Sequence, residues 1–462
     1  MNFTANDVET MITSQRTFYY KGNTRSVAFR KEMLLKLRAT IIENEEAIMK
    51  ALYGDLRKSS FESYVTEIGF VLASISDMVK NLDNWMKPET VKTPVHLQPA
   101  KSFVVREPYG SVLIIGPFNY PFQLVMEPLI GAIAGGNCAI VKPSETSLHT
   151  AQIIKKLLTE TFPPEYIRVV EGEREETSAL IHASFDYIFF TGSIEVGKVV
   201  MKAASERLTP ITLELGGKSP AIVDQTADLK KAAERIVWGK FVNTGQTCVA
   251  PDYLLVHHSI QDEFVREVIT VIHKFYGDDA SKSSDYGRII NEGHFDRLVN
   301  LIREERSQII YGGNVNRKDL YIEPTLLDGV WWNSFSMKDE IFGPILPIIT
   351  YDNLGEVIHQ LRKFSKPLAA YMFTENEKAA DYFIGSFPFG GGCINDTISH
   401  VGNTNLPFGG VGSSGMNAYH GKASFDTFTH AKSLMKRDTK VPMRLAFPPY
   451  GNKLKFIKPL LR

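Results

Sequence analysis

Glu214 and Cys248 are out of character with their surroundings. Glu214 lies in ITLELGGKSP, inside a run that is otherwise apolar. A carboxylate buried there without a partner costs several kcal/mol, so packing alone rarely selects it. Burial also lifts a carboxyl pKa toward neutrality, where the group serves best as a general base. Cys248 follows 34 residues later (248 − 214 = 34), in FVNTGQTCVAPDY, a loop that trails a helix. A lone cysteine is ordinarily a small buried hydrophobe. Cys138 in GGNCAIVKP and Cys393 in GGCIND have the apolar, strand-like neighbours of that kind. The neighbours of Cys248 are glycine, glutamine and threonine, which sets it apart as a candidate nucleophile.

A base and a nucleophile on separate segments meet only if the fold brings two loops together. Five β-branched runs, SVLIIG, CAIVKP, IRVVEG, YIFFTG and ITLEL, alternate with helical segments between Ser111 and Leu215. That alternation predicts βαβ units and a parallel sheet covered by helices. Ligands of such sheets bind beyond the carboxyl ends of the strands, so Gly116 to Asn119, Lys142 to Glu145 and Thr191 to Ser193 are expected on one rim. The first turn, IIGPFNYPF, has one glycine where a Rossmann fingerprint has GxGxxG. The fourth, FFTGSIEVG, puts Gly192 and Ser193 at a helix start, whose free N–H groups suit a pyrophosphate and equally suit a plain cap. In VKPSET, Lys142 and Glu145 are either partners for ribose hydroxyls or ordinary surface charges.

A second α/β unit is expected from SPAIVD onward, with helices over about Leu229–Phe241 and Ile260–Tyr276. FDTFTHAKSLM alternates like an edge strand, and the stretch from Lys87 to Arg106 reads as an extended arm or hairpin. Upstream, one long amphipathic helix is expected from Thr24 to about Leu56 and an apolar-periodic segment from about Glu62 to Met86, neither with visible chemistry.

Composition removes several function classes. The 462 residues are 44% hydrophobic and 23% charged, with 52 basic and 52 acidic side chains. This is a soluble globular profile without the basic excess that nucleic acid would require. The length exceeds one core and predicts two or three domains. No stretch approaches the roughly 20 apolar residues of a membrane span, and MNFTANDVETMITSQR lacks the basic-then-apolar order of a signal peptide, so a cytoplasmic protein is expected. Three scattered cysteines argue against a disulfide framework, and the lack of HExxH or CxxC against a metal site.

ELGGKSP and GQTCVAP at this spacing are preceded by PFNYP, KPSE and FTGS and followed by EIFGP and LPFGGVGSSG. With these seven motifs in one order, from about Arg106 to His430, the sequence closely resembles the aldehyde dehydrogenase superfamily. Its short N-terminus and GMNAYHGKASFDTFTH resemble the class 3 branch, which oxidises medium- to long-chain and aromatic aldehydes and includes dimers. The resemblance implies an α/β fold: a Rossmann-like parallel-sheet NAD-binding domain (1–85 and 107–211), a second α/β catalytic domain (212–423), a small β oligomerisation arm (86–106 and 424–437) and a C-terminal tail (438–462). It implies NAD as cofactor, with NADP as the alternative, an aldehyde substrate and a homodimer.

In that scheme Cys248 attacks the aldehyde, Asn119 and the Cys248 N–H bind the oxyanion, and Glu214 activates the hydrolytic water. Lys142 and Glu145 fall on the adenosine-ribose positions, and Gly192 and Ser193 on the pyrophosphate turn. Glu340 matches the glutamate that holds the nicotinamide ribose and Phe342 the aromatic beside it; Gly116 and Pro117 belong to the same cofactor rim. Asn395, His400 and His420 are read as structural, and Asn417 stands where the family pattern has glycine. Three alternatives remain. A CoA-acylating relative would typically lack Glu214, and a reductase of acyl phosphates would lack ELGGKSP. A non-catalytic protein on the same fold would not need Asn119, Glu214, Cys248 and Glu340 together.

Overall fold

The computed structural model describes residues 4–440 and 447–461; residues 441–446 and 462 of the expected tail lie outside it. Helix α1 (Ala5–Tyr20) opens on a capping box between Thr4 and Asp7. It is followed by α2 (Val27–Glu43), α3 (Glu45–Leu56), α4 (Ser60–Ser63), a π turn (Tyr64–Ile68) and α5 (Gly69–Trp85). The single helix expected from Thr24 to Leu56 is thus two helices. Asn44, at φ −119°, ends one and begins the other, and its side chain donates to Thr40 O at 2.9 Å, a local bond that competes with helix continuation. Strands β1 (Glu89–Val91) and β2 (Ala100–Pro108) pair antiparallel as a hairpin arm.

The first sheet is built from β3 (Ser111–Ile115), α6 (Gln123–Gly135), β4 (Cys138–Lys142), α7 (Leu148–Thr161), β5 (Ile167–Val169), α8 (Arg174–Ile181), β6 (Tyr187–Thr191), α9 (Ile194–Ser205) and β7 (Ile211–Glu214). Its strands are parallel in the order β7-β6-β3-β4-β5. Successive residues feed two different cores. Val112, Ile114, Val141 and Phe189 pack with α5 and α6, whereas Leu113, Ile115, Ile140 and Phe190 pack with α1, α8 and α9. With both faces covered, the strands read as unbroken apolar runs.

The second sheet uses β8 (Pro220–Val223), α10 (Leu229–Phe241), β9 (Tyr253–His257), α11 (Gln261–Tyr276), α12 (Glu292–Glu304) and β10 (Ile309–Tyr311). The pair β11 (Val315–Asn316) and β12 (Tyr321–Ile322) stands apart, and the sheet continues with β13 (Thr325–Leu327), β14 (Ile345–Tyr351), α13 (Leu354–Leu361), β15 (Ala369–Phe373), α14 (Glu377–Ser386) and β16 (Gly391–Ile394). Its order is β10-β13-β14-β9-β8-β15-β16, parallel except for β10.

The chain then returns: β17 (Gly415–Met416) pairs antiparallel with β7 and covers its open edge. The catalytic segment expected over 212–423 therefore starts in the first sheet and returns to it at β17, before ending in the helix that follows. After α15 (Gly421–Thr427), β18 (Thr429–Arg437) runs antiparallel along the whole of β2. The edge strand expected from FDTFTHAKSLM thus begins only at Thr429. The residues before it are helical because Phe425 and Phe428 turn inward, against Trp85 (ring centroids 5.9 Å apart) and Phe189 (5.7 Å). No helix among the described residues is long and apolar enough to cross a membrane.

Candidate active site

The Cys248 loop is shaped by backbone that few side chains tolerate. Past the end of α10, Asn243 (φ 51°), Thr244 (φ 56°) and Gly245 (φ 73°) are consecutively left-handed. Gly245 is required: a Cβ there would lie 2.3 Å from Gly343 O. Side chains lock the turn. Asn243 donates to Asn119 O (2.7 Å) and Gln246 O (3.0 Å), while Gln246 donates to Arg288 O (2.9 Å) and accepts from Ile290 N (3.0 Å). From Phe241 to Ala250 every residue is buried except Cys248, which opens on a cavity of about 210 Å³. Phe70, Leu124, Val242, Ile398, Val401 and Phe408 make most of that cavity apolar. Burial pushes the Cys248 thiol pKa well up, and the nearby carboxyls of Glu340 and Glu214 add to the shift.

Glu214 ends β7 and is 2% exposed. Neither of its carboxylate oxygens has a hydrogen-bond partner among the described residues, and burial raises its pKa far above the usual carboxyl range. Asn119 reaches the same region from the turn after β3. It is buried, its side-chain amide makes no hydrogen bond to any described residue, and the next residue, Tyr120, bonds through its hydroxyl to Thr247 Oγ1 at 2.8 Å.

The expected cofactor residues share one rim. Gly116 N donates to Lys142 O (3.1 Å) and Gly192 N to Glu214 O (3.0 Å), so the ends of β3, β4, β6 and β7 are tied side by side. Lys142 is buried and donates to Glu145 Oε2 at 2.5 Å, while the Glu145 side chain stays half exposed. Ser193 caps α9 by accepting from Val196 N at 3.3 Å, and the other N–H groups of that first turn have no intrahelical acceptor. Buried Thr191 Oγ1, just before them, also lacks a partner among the described residues. A cation, free helix N–H groups and an orphaned hydroxyl on one rim fit a dinucleotide phosphate and ribose. Gly116 and Gly192 serve packing: a Cβ at either would collide with Val125 (2.3 Å) or Phe190 (2.6 Å). Pro117 is partly buried beside them.

Glu340 and Phe342 come from the second sheet's approach to β14. The Glu340 carboxyl presses on Gly216, where a Cβ would fall 2.1 Å from Oε2. Burial and Asp252 push its pKa up to about 8 against the Gly217 N–H, Lys218 and Arg297. Phe342 is held left-handed (φ 50°), an uncommon state for an aromatic residue, and meets Phe118 edge-on at 5.7 Å. The two sheets therefore touch across the rim.

The remaining sequence expectations divide. Asn395 braces a loop through Thr374 N (2.8 Å) and Thr374 O (2.9 Å). His420 is buried between Phe408 and Tyr419, with its pKa pushed down to about 3 by burial, and is neutral. Asn417 has φ 67°, which explains a glycine-like position: asparagine tolerates the left-handed region. The segment from Glu62 to Met86, which showed no chemistry in sequence, brings Val65, Thr66 and Phe70 to the Cys248 cavity. Just ahead of it, Lys58 pairs with Glu67 beneath Asn119. The π turn at Tyr64–Ile68 shifts the helical phase there, a change too small for apolar periodicity to reveal.

Two α/β units meet across this rim, with a cysteine at the cavity and a buried glutamate near it, an arrangement that fits an oxidoreductase working through a thiol adduct. The profile of the aldehyde dehydrogenase family matches residues 1–434. A 4,4'-diaponeurosporen-aldehyde dehydrogenase of Staphylococcus aureus is 52% identical over 453 residues, 98% of this chain and 99% of that one. The dimeric NADP-preferring aldehyde dehydrogenase of Mus musculus is 44% identical over 434 residues, 94% and 95% of the two chains. The substrate-bound Staphylococcus aureus AldH structure superposes with a TM-score of 0.97 at 52% identity, covering 100% of both chains. The chain belongs to the aldehyde dehydrogenase family, and its activity is NAD(P)-dependent oxidation of aldehydes.

Proposed function

We propose that this chain converts medium- to long-chain aliphatic or aromatic aldehydes to acids through a thioester on Cys248. The observation that carries the reading is the pairing of a thiol open to an apolar cavity with a buried carboxyl whose two oxygens are unpartnered. Cys248 loses its proton to solvent and its sulfur adds to the aldehyde carbon. The Asn119 amide and the Cys248 N–H donate to the oxyanion that forms. A nicotinamide dinucleotide supplies the hydride acceptor. The acyl group then remains on Cys248 as a thioester. Glu214 draws a proton from water, the hydroxide adds to the thioester carbon, and collapse frees the carboxylic acid and restores the sulfur.

Lys142 and Glu145 would hold the adenosine ribose, Gly192 and Ser193 the pyrophosphate, and Glu340 and Phe342 the nicotinamide end, with Gly116 and Pro117 forming the wall between. The half-exposed Glu145 carboxylate repels a 2′-phosphate, which favours NAD over NADP. A homodimer in the cytoplasm completes the reading, supported by three free cysteines and by a nine-residue edge at β18 that is open among the described residues.

Glu214→Gln tests the mechanism, because it keeps the shape and removes the base. Rapid mixing with aldehyde and excess NAD should give a burst of NADH approaching one per site, then a steady rate at least about 100-fold below wild type. The acyl mass should sit on the Cys248 peptide. Loss of the burst would place Glu214 before the thioester, and an unchanged steady rate would remove it from hydrolysis.

A further inference from the structure

The two oxyanion donors belong to different sheets: Asn119 follows β3, and the Cys248 N–H lies in the loop before β9. Their separation has to be set by whatever joins those loops. The Asn119 amide has no partner among the described residues, so its aim depends on the backbone that carries it. That backbone is anchored at its carbonyl, which accepts from Asn243 Nδ2 at 2.7 Å and from Lys58 Nζ at 3.0 Å.

Lys58 is 1% exposed and ion-paired with fully buried Glu67. Its ammonium also lies 3.9 Å from the centre of the Tyr120 ring, the residue bonded to Thr247 beside Cys248. Glu67 accepts from Phe122 N (2.9 Å) and Gln123 N (3.2 Å), which fixes the start of α6 directly after the Asn119 turn. Glu62 accepts from Asn243 N at 3.0 Å and holds the other side. A buried Lys–Glu pair is a weak source of stability, since apolar isosteres often match it. What an isostere would lack is a donor to the Asn119 carbonyl.

We propose that Lys58, oriented by Glu67, is a positioning residue that holds Asn119 in register with Cys248 for oxyanion binding. The proposal rests on the reading of Asn119 as an oxyanion donor.

The test compares Lys58→Met/Glu67→Gln, which removes the charges together, with Lys58→Met and Asn119→Ala. NADH formation is followed in a single turnover with enzyme in excess over aldehyde, alongside NAD affinity and Tm. The double variant should form NADH ten- to a hundredfold more slowly, with NAD affinity within twofold of wild type. Adding Asn119→Ala to it should cost less than Asn119→Ala does in the wild type, because both changes remove one donor. A purely structural role would lower Tm and leave the single-turnover rate of the folded enzyme unchanged, and that result would overturn the proposal. If Asn119→Ala alone left the rate intact, the reading of Asn119 would fall first.

Discussion

Cys248 is a thiol in a place that resists ionisation. Burial and the charges of Glu340 and Glu214 all act in the same direction, upward. On that footing the free enzyme would hold little thiolate at neutral pH, and the attack proposed for Cys248 would draw on the proposed oxyanion donors more than on a pre-formed anion. Alkylation of Cys248 by iodoacetamide in the cofactor-free enzyme should climb with pH and show no plateau below pH 9. A plateau near pH 7 would mean that the thiol is already ionised and that the carboxyls beside it are neutral. Cys138 should stay unlabelled in the folded enzyme: it is fully buried in β4, with its thiol pushed up to about 12. Replacing Cys248 with alanine should abolish oxidation, because no other thiol opens on the cavity.

At the scale of elements, α6 is an apolar helix with one discordant residue. Every residue from Gln123 to Gly135 is buried, and Glu127 among them has no ion-pair partner among the described residues. Burial pushes its carboxyl up to about 8. A folded-state pKa raised above the unfolded value of about 4.3 gives stability that is complete below that value and is lost as pH rises toward 8. Glu127→Gln removes this loss, so it should stabilise the enzyme by on the order of 2 kcal/mol at pH 8 and little at pH 5. Thermal unfolding at the two pH values checks it; an equal shift at both would mean that ionisation is not the cause. The same element shows what a sequence conveys. The βαβ alternation, Glu214 in its apolar strand and Cys248 among small polar neighbours were legible because each breaks a local pattern. Lys58, Glu67 and Phe70 were not, because each fits an ordinary amphipathic segment or its connecting loop and meets the site only through residues 50 or more positions away. Asn44 and the π turn escaped for a related reason: a one-residue change of helical phase barely alters apolar periodicity.

At the scale of the whole molecule, the three-stranded sheet β1-β2-β18 is separate from both larger sheets and, among the described residues, ends in an unpaired edge. Leu434 and Met435 on β18 are 40% and 48% exposed. An open nine-residue edge invites another strand, and the homodimer proposed above would supply one from a second copy related by a two-fold axis. Light scattering at micromolar concentration should report 103.8 kDa (2 × 51.9 kDa); a mass of 51.9 kDa would contradict the assembly. The same sheet also imposes a schedule on biosynthesis. β2 ends at Pro108 and its neighbour β18 begins at Thr429, 321 residues later (429 − 108 = 321), so a ribosome adding about 5–20 residues per second leaves β2 without that neighbour for roughly 16–64 s. Charge along β2, from Lys101, Arg106 and Glu107, together with Pro108, blunts the open edge during the wait. Crowded polysomes are where that protection matters most, because neighbouring nascent chains there display the same unfinished edge side by side.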